Sequence, residues 1–144
     1  MSIEIRSFII QDTLQARQLW ESLPGMGLSS ADQPPELANF LERNPHTCFV
    51  GVENGQVIGT VLGGSDGRRG YLYHLAVSAD HQRHGLGSTL VKTCLAALQA
   101  QGVQKCHIFV ITDNQDGLEF WKSQAWTLRH DILLMSKDLP ASKK

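Results

Sequence analysis

Charge of one sign and long apolar runs are both missing from this sequence. Its 144 residues include 13 lysine and arginine residues and 14 aspartate and glutamate residues, which leave a formal net charge of −1. No stretch approaches the roughly 20 apolar residues that cross a bilayer. A nearly neutral chain has no bulk electrostatic attraction to nucleic acid or to an anionic membrane. We therefore expect neither a nucleic acid nor a membrane as a partner.

Cysteine is also scarce. The three cysteines, Cys48, Cys94 and Cys106, are an odd number at scattered spacings, and no Cys-x-x-Cys pair is present. We expect reduced thiols that fill core positions rather than disulfides. The amino-terminal residues contain no long apolar stretch after a basic segment, so they do not resemble a secretory signal. Both features favour a cytoplasmic protein.

A metal-ligand pattern is missing as well. His74, His81 and His84 are close in sequence, but a predicted strand, a turn and a glycine-containing loop separate them. No carboxylate or cysteine completes a ligand set at the usual spacing. We therefore expect no metal site.

The composition is that of a globular protein, with 42% apolar and 19% charged residues. The length and this balance fit one domain over residues 1–144 with a substantial core. Asn54-Gly55 is a strong hairpin signal, and Pro34 or Pro35 begins a helix. Further strands are predicted at residues 106–111 and in a closing hairpin over residues 126–137. Strands and helices in this mixture indicate an α/β or α+β fold.

The most informative stretch joins an apolar run at residues 71–77 to a helix with apolar residues at helical spacing. The run predicts a buried strand, and the turn that follows is Gln82-Arg83-His84-Gly85-Leu86-Gly87. Unpaired N–H groups at the start of such a helix favour a phosphate, and glycine lets the phosphate approach the backbone. The alternative is that the two glycines only form a strand-to-helix turn. The basic residues beside them favour an anion.

These residues resemble the central motif of the GNAT N-acetyltransferases. The resemblance consists of Leu75-Ala76-Val77, the pattern Gln82-x-x-Gly85-x-Gly87 and the apolar helix, and it continues at Asn114 and at residues 120–126. The glycines and charges of residues 63–70 are similar to those of a bacterial subgroup of uncharacterised members. The resemblance covers nearly the whole chain. It implies a mixed, splayed seven-stranded sheet flanked by about four helices.

The resemblance also implies which residues bind acetyl-CoA. Leu75, Ala76 and Val77 would pair with the pantetheine arm as an added strand, and the Leu75 N–H would act as the oxyanion donor. Asn114 would hydrogen-bond the arm, or cap the following helix, or do both. The remaining expected cofactor contacts are Gln82, Arg83, His84, Gly85, Leu86, Gly87, Ser88 and Trp121.

Three positions depart from the family pattern. Many members have a tyrosine that acts as general acid at the position of Trp121, and an indole N–H does not deliver a proton at working pH. Others carry a glutamate at the position of Phe109 or near Tyr71. The candidate bases are therefore His74, Tyr71, Tyr73 or an ordered water, and histidine titrates in the useful range. A histidine on an apolar strand is more often a hydrogen-bonded core residue, and strand alternation places His74 opposite both tyrosines.

The expected function is direct transfer of the acetyl group of acetyl-CoA to a primary amine of a small molecule or peptide. A homodimer would be common for this family. One alternative is a domain that binds CoA without turnover, which the departures at Trp121 and Phe109 favour. A dinucleotide-binding domain is the other, but it would need an acidic residue some twenty positions after the glycines, and residues 101–105 have none.

Overall fold

A single mixed sheet organises the part of the chain that the computed structural model describes, residues 2–141. Its strands follow the order β1-β2-β3-β4-β5, with every neighbouring pair antiparallel except β4 and β5, which are parallel. The strands are β1 (Glu4–Ser7), β2 (Phe49–Glu53), β3 (Gln56–Ser65), β4 (Gly70–Val77) and β5 (Cys106–His107). The helices are α1 (Thr13–Glu21), α2 (Pro34–Arg43), α3 (Leu86–Ala100) and α4 (Gln115–Ser123), with short 3-10 turns at Ile10–Asp12, Ser30–Asp32 and Ala79–His81.

The sheet separates two apolar cores. On one face α1 and α2 pack over the sheet through buried residues such as Trp20 and Leu37. On the other face α3 packs through Leu90, Cys94 and Leu98, and the aromatic residues of α4 lie against the same cluster. Burying both faces of the central strands explains why their sequences are almost continuously apolar. The predicted fold class and its four helices are confirmed.

The far end of the sheet differs from the prediction. Five strands are present in residues 2–141 instead of seven, and β5 covers only Cys106–His107 rather than residues 106–111. The closing hairpin over residues 126–137 does not form: this segment has no strand, and Leu133 and Met135 are more than nine-tenths exposed. The alternation of apolar residues there is a local signal, whereas a strand also needs a partner edge at the right distance.

Strands β4 and β5 are neighbours only at their starts. Gly70 pairs with Cys106 and Tyr71 pairs with His107, after which the two chains diverge. The later part of β4 therefore has no strand partner on that side within the described residues. The divergence opens a groove between the end of β4 and residues 108–111.

Strand β4 carries a bulge in its middle. Thr60 of β3 pairs with Ala76 and Leu62 pairs with Tyr73, so two residues of β4, His74 and Leu75, face the single residue between them on β3. His74 has a φ of +48°, the left-handed region that a bulged strand can impose on one residue. None of the helices in residues 2–141 is long and apolar enough to cross a membrane.

Candidate active site

The groove between the diverging strands holds a cavity of about 620 Å³. Its walls come from the end of β4, from residues 108–111, from α2 and from the loop between α1 and α2. Five of the residues selected from the sequence line it together: Tyr73, His74, Leu75, Asn114 and Trp121. Tyr71 does not line the cavity. Its ring instead packs against His107 and Phe109 at the closed end of the groove.

The bulge brings His74 to the same face of the sheet as Tyr73. The His74 ring lies 4.7 Å from the Trp20 ring of α1, and the Tyr73 ring meets Phe40 of α2 at 6.0 Å. The expectation that His74 lies opposite the tyrosines is therefore wrong. Strict alternation fails here because the extra residue of a bulge reverses the direction of the side chains that follow it.

His74 is paired with a carboxylate from the loop between α1 and α2. Its Nε2 atom lies 2.6 Å from Oδ1 of Asp32, and both side chains are 12% exposed. The other oxygen of Asp32 accepts a hydrogen bond of 2.8 Å from the Ser29 N–H, which fixes the carboxylate within its 3-10 turn. Sequence reasoning missed Asp32. The spacing of Ser29 and Asp32 resembles a capping box, which predicts a turn but not the partner across the sheet.

The chain turns from β4 into α3 at Gly85, and this turn forms an open corner. Gln82 Nε2 donates a hydrogen bond of 2.9 Å to the carbonyl of Val77, which closes the turn on its strand side. Gly85 has a φ of +84° and is the N-cap of α3, where no side chain caps the helix. A Cβ built on Gly85 would have no heavy atom within 4 Å beyond its chain neighbours. The space beside Gly85, at the N-terminus of α3, is therefore open, and the first N–H groups of a helix have no partner within the helix itself.

A second histidine fixes this corner to the sheet. The Ser78 hydroxyl lies 2.6 Å from Nδ1 of His81, and Nε2 of His81 lies 2.9 Å from Oε1 of Glu53 at the end of β2. Arg83 and His84, by contrast, are exposed beside the corner. Both residues are open to solvent, whereas the two ring nitrogens of His81 are held by Ser78 and Glu53. Among residues 2–141 no group of three or more His, Cys, Asp or Glu side chains is arranged to hold a metal ion.

The sequence profile described as the Acetyltransferase (GNAT) family matches residues 14–126, which include the bulged strand, the open corner and α4. The chain belongs to the GNAT acetyltransferase family. An acetyltransferase of Pectobacterium atrosepticum is 32% identical over 78% of this chain and 79% of its own length.

Two solved structures share the fold of this GNAT protein. The PaiA N-acetyltransferase of Thermoplasma acidophilum, solved with coenzyme A, has a TM-score of 0.73 at 20% identity, over 86% of this chain and 89% of that one. An aminoglycoside acetyltransferase from an uncultured soil metagenome, solved with sisomicin, has a TM-score of 0.72 at 20% identity, over 96% and 97% of the two chains.

Asn114 and Trp121 close the groove of the GNAT protein from the α4 side. Asn114 Oδ1 accepts a hydrogen bond of 3.0 Å from the Gly117 N–H, so this residue caps α4. The loop after α1 reaches across the groove to this residue. A Cβ placed on Gly25 of that loop would lie 3.3 Å from the amide nitrogen of Asn114. Trp121 is held edge-on between Phe120 and Trp126. An indole held in this way can line the groove but supplies no acid.

Two carboxylates line the cavity. They are Asp32 and Glu36, and no lysine or arginine of residues 2–141 is among the lining residues. Asp32 is paired with His74, whereas the exposed Glu36 carboxylate makes no hydrogen bond or ion pair within the described residues. This lining therefore favours a positive charge.

The cysteines of this GNAT protein are not reactive nucleophiles. Burial raises the pKa of the Cys48 thiol to about 11 and that of the Cys94 thiol to about 12, and it also raises the pKa of Cys106. All three are free thiols, and Cys48 and Cys94 are almost completely buried. A thiolate forms on these side chains only at alkaline pH, so an acetylated cysteine is not favoured.

Proposed function

We propose that this GNAT protein, acting as a single domain, transfers the acetyl group of acetyl-CoA directly to a primary amine. One observation carries the proposal: the unpaired part of β4 connects an open helix N-terminus to a cavity that contains a histidine–carboxylate pair. A cofactor with a diphosphate at one end and a thioester at the other needs both sites along one strand.

The corner at Gly85 fits a diphosphate. Its helix has no side-chain cap, the space beyond Gly85 is open, and Arg83 and His84 are exposed beside it. Backbone N–H groups and the helix dipole both favour negative charge at this end. The solved structure of PaiA with coenzyme A supports the same class of ligand for this fold. Gln82, Leu86, Gly87 and Ser88 complete the proposed corner through the backbone of the turn and of the first turn of α3.

The open edge of β4 fits the pantetheine arm. Because β5 has diverged, the N–H and C=O groups of Leu75 to Val77 have no strand partner on that side within the described residues. An amide-containing chain can pair with such an edge as an added strand. Acetyl-CoA, when bound, supplies the activated acetyl thioester. In this arrangement the Leu75 N–H, at the bulge, donates to the thioester oxygen.

His74 is the favoured base among the three residues selected from the sequence. Burial raises the pKa of the Tyr73 hydroxyl, and a charge on Tyr71 would raise it further, so Tyr73 stays neutral near pH 7 and can only donate or accept a hydrogen bond. Tyr71 lies outside the cavity lining. His74 lines the cavity and sits directly before Leu75, and an imidazole is the side chain that most often serves as a general base.

The acceptor is proposed to be an amine that carries additional positive charge and no carboxylate. Glu36 is the free charged group of the lining, and no lysine or arginine there would pair with an acidic acceptor. The aminoglycoside acetyltransferase solved with sisomicin, which shares this fold, supports a small amine as the acceptor. Tyr73 and Phe109 add apolar wall beside the charge, with ring centroids 6.3 Å apart.

The test is acetylation of a panel of primary amines, measured by release of the CoA thiol and by the mass of the product. The panel holds mono-amines, diamines, amino acids and short peptides, and a reaction without amine measures thioester hydrolysis. We expect amine-dependent thiol release that matches the acetylated product. Binding of CoA without turnover on any amine would instead favour a CoA-binding domain, and an absence of CoA binding would overturn both functions.

A further inference from the structure

We propose that Asp32 is a positioning residue that holds His74 in the tautomer with its proton on Nε2, so that Nδ1 is the atom that takes the proton from the amine. The inference deepens the proposed function and rests on it. It assigns a role to a loop residue that belongs to no motif of the central strand and turn.

The hydrogen-bond geometry favours one tautomer. Oδ1 of Asp32 lies 2.6 Å from Nε2 of His74, while Oδ2 accepts from the Ser29 N–H. Because an ionised carboxylate only accepts hydrogen bonds, Nε2 must be the donor. A neutral imidazole with a proton on Nε2 has an unprotonated Nδ1. Within the described residues Nδ1 of His74 makes no hydrogen bond, so its lone pair is available to the cavity.

The rest of the surroundings hold the ring in place without fixing its protonation. Trp20 packs against the imidazole at 4.7 Å, and the His74 carbonyl accepts a hydrogen bond of 2.8 Å from the Thr60 hydroxyl. Neither contact involves a ring nitrogen. The other titratable groups around the cavity are Glu36 from α2 and Tyr73 from the same strand. Asp32 is therefore the residue that selects between the two ring nitrogens.

The proton and electron balance of the step is simple. The amine nitrogen forms a bond to the acetyl carbon, and its proton moves to Nδ1 of His74. The bond between that carbon and the CoA sulfur breaks, and the sulfur leaves with the electron pair. The proton on His74 then passes to the thiolate or to solvent, which restores the neutral ring and gives the amide and free CoA.

The chain contains a matched control for this residue. Asp12 occupies the same kind of 3-10 turn: its Oδ2 accepts from the Ile9 N–H at 3.0 Å, as Oδ2 of Asp32 accepts from Ser29. The partner differs, because Asp12 pairs with Arg6 at 2.8 Å rather than with a histidine. Asp12→Asn therefore measures the effect of neutralising a turn carboxylate on an otherwise similar loop.

The experiment combines kinetics with nitrogen-15 NMR of the histidine rings, and His74→Gln assigns the His74 signals. In the wild type we expect a protonated Nε2 and an unprotonated Nδ1. Asp32→Asn should lower kcat by about tenfold or more with little change in the KM for acetyl-CoA, and should shift the His74 signals toward the other tautomer. Asp12→Asn should keep kcat within about threefold of the wild type and leave the His74 signals unchanged, because its partner is not a base.

Several results would overturn the proposal. One is a wild-type His74 ring with its proton on Nδ1, a measurement that does not depend on the folding of any variant. Another is an Asp32→Asn protein that keeps the wild-type kcat, and a third is a loss of kcat in Asp12→Asn equal to that in Asp32→Asn. If the wild type acetylates no amine, the proposed function fails, while the NMR measurement still decides whether Asp32 sets the tautomer.

Discussion

The indole nitrogen of Trp20 donates a hydrogen bond of 2.9 Å to the hydroxyl oxygen of Thr60, and that hydroxyl donates one of 2.8 Å to the carbonyl of His74. Trp20 and Thr60 are almost completely buried, at 1% and 0% exposure. The chain of hydrogen bonds ties α1 to the bulge of β4. A bulge leaves one residue outside the regular ladder, so its carbonyl needs another partner. Thr60 provides that partner where water cannot.

Thr60→Val should destabilise the fold by about 2–6 kcal/mol. Valine has nearly the same shape, but it leaves the Trp20 N–H and the His74 carbonyl unpaired in a buried site, and each such group costs about 1–3 kcal/mol. Urea unfolding measures the change in the free energy of unfolding. Thr93→Val is the control, because the Thr93 hydroxyl bonds the Thr89 carbonyl on an exposed helix surface. Equal losses in the two variants would contradict the role given to Thr60.

Gly85→Glu should abolish measurable CoA binding while the protein stays folded. The new carboxylate would stand at the N-terminus of α3, in the space proposed for the diphosphate, and a left-handed residue with a side chain costs only about 1–2 kcal/mol. Calorimetric titration with CoA measures the affinity.

Gly102→Glu is the matched control for the corner. Gly102 also has a positive φ, +92°, and open space at its Cβ position, but it follows the opposite end of α3. A helix of 15 residues separates the two sites by about 22 Å. The control should bind CoA like the wild type. Unchanged affinity in Gly85→Glu would remove the diphosphate site from this corner.

Glu36 should set the preference for the charge of the acceptor. Two amines of the same chain length test it: 1,4-diaminobutane, with a second cation, and 4-aminobutyrate, with a carboxylate. The wild type should have the higher kcat/KM for the diamine, and Glu36→Lys should reduce that ratio by about three- to tenfold, the effect of an exposed charge. Glu42→Lys makes the same change on α2 outside the cavity lining and should preserve the ratio. If Glu36→Lys leaves this ratio unchanged, the acceptor binds away from Glu36.

The buried thiols should make the protein less stable at alkaline pH. Their pKa values, about 11 for Cys48 and about 12 for Cys94, exceed the ordinary value of about 8.5. As the pH rises, the unfolded chain therefore loses these protons before the folded protein does. The contribution of the two thiols to the free energy of unfolding is fully present below about pH 8.5 and is lost as the pH rises toward 12. At pH 10 the loss is roughly 1–2 kcal/mol per thiol.

Urea unfolding of the wild type and Cys94→Ala at pH 7.5 and pH 10 measures this effect. The alanine variant is less stable at both pH values because it loses packing. Its further loss of unfolding free energy between pH 7.5 and pH 10 should be smaller than that of the wild type by the contribution of the Cys94 thiol. The comparison between the two proteins cancels the titration of tyrosine and lysine. An identical pH dependence in both proteins would show that the Cys94 thiol already ionises in the folded state.

Local chemistry explains which parts of the fold could be predicted. The turn at Asn54-Gly55 forms, with positive φ at both residues, because few other pairs tolerate that conformation. Helix α2 begins at Pro34, and α3 follows the glycine turn as its apolar spacing indicated. These elements depend on residues within a few positions of one another. The missing hairpin over residues 126–137 had a similar local pattern but lacks a partner strand in the described residues.

The sequence by itself determined the succession of elements up to α4 and the basic glycine corner, because capping, turn chemistry and apolar spacing act between near neighbours. Only the tertiary structure decided that His74 shares a face with Tyr73 and meets Asp32, a residue 42 positions away. A bulge leaves no periodic signature, since it arises from the pairing of β4 with β3. A contact between a loop carboxylate and a strand histidine likewise depends on how α1 and α2 pack over the sheet.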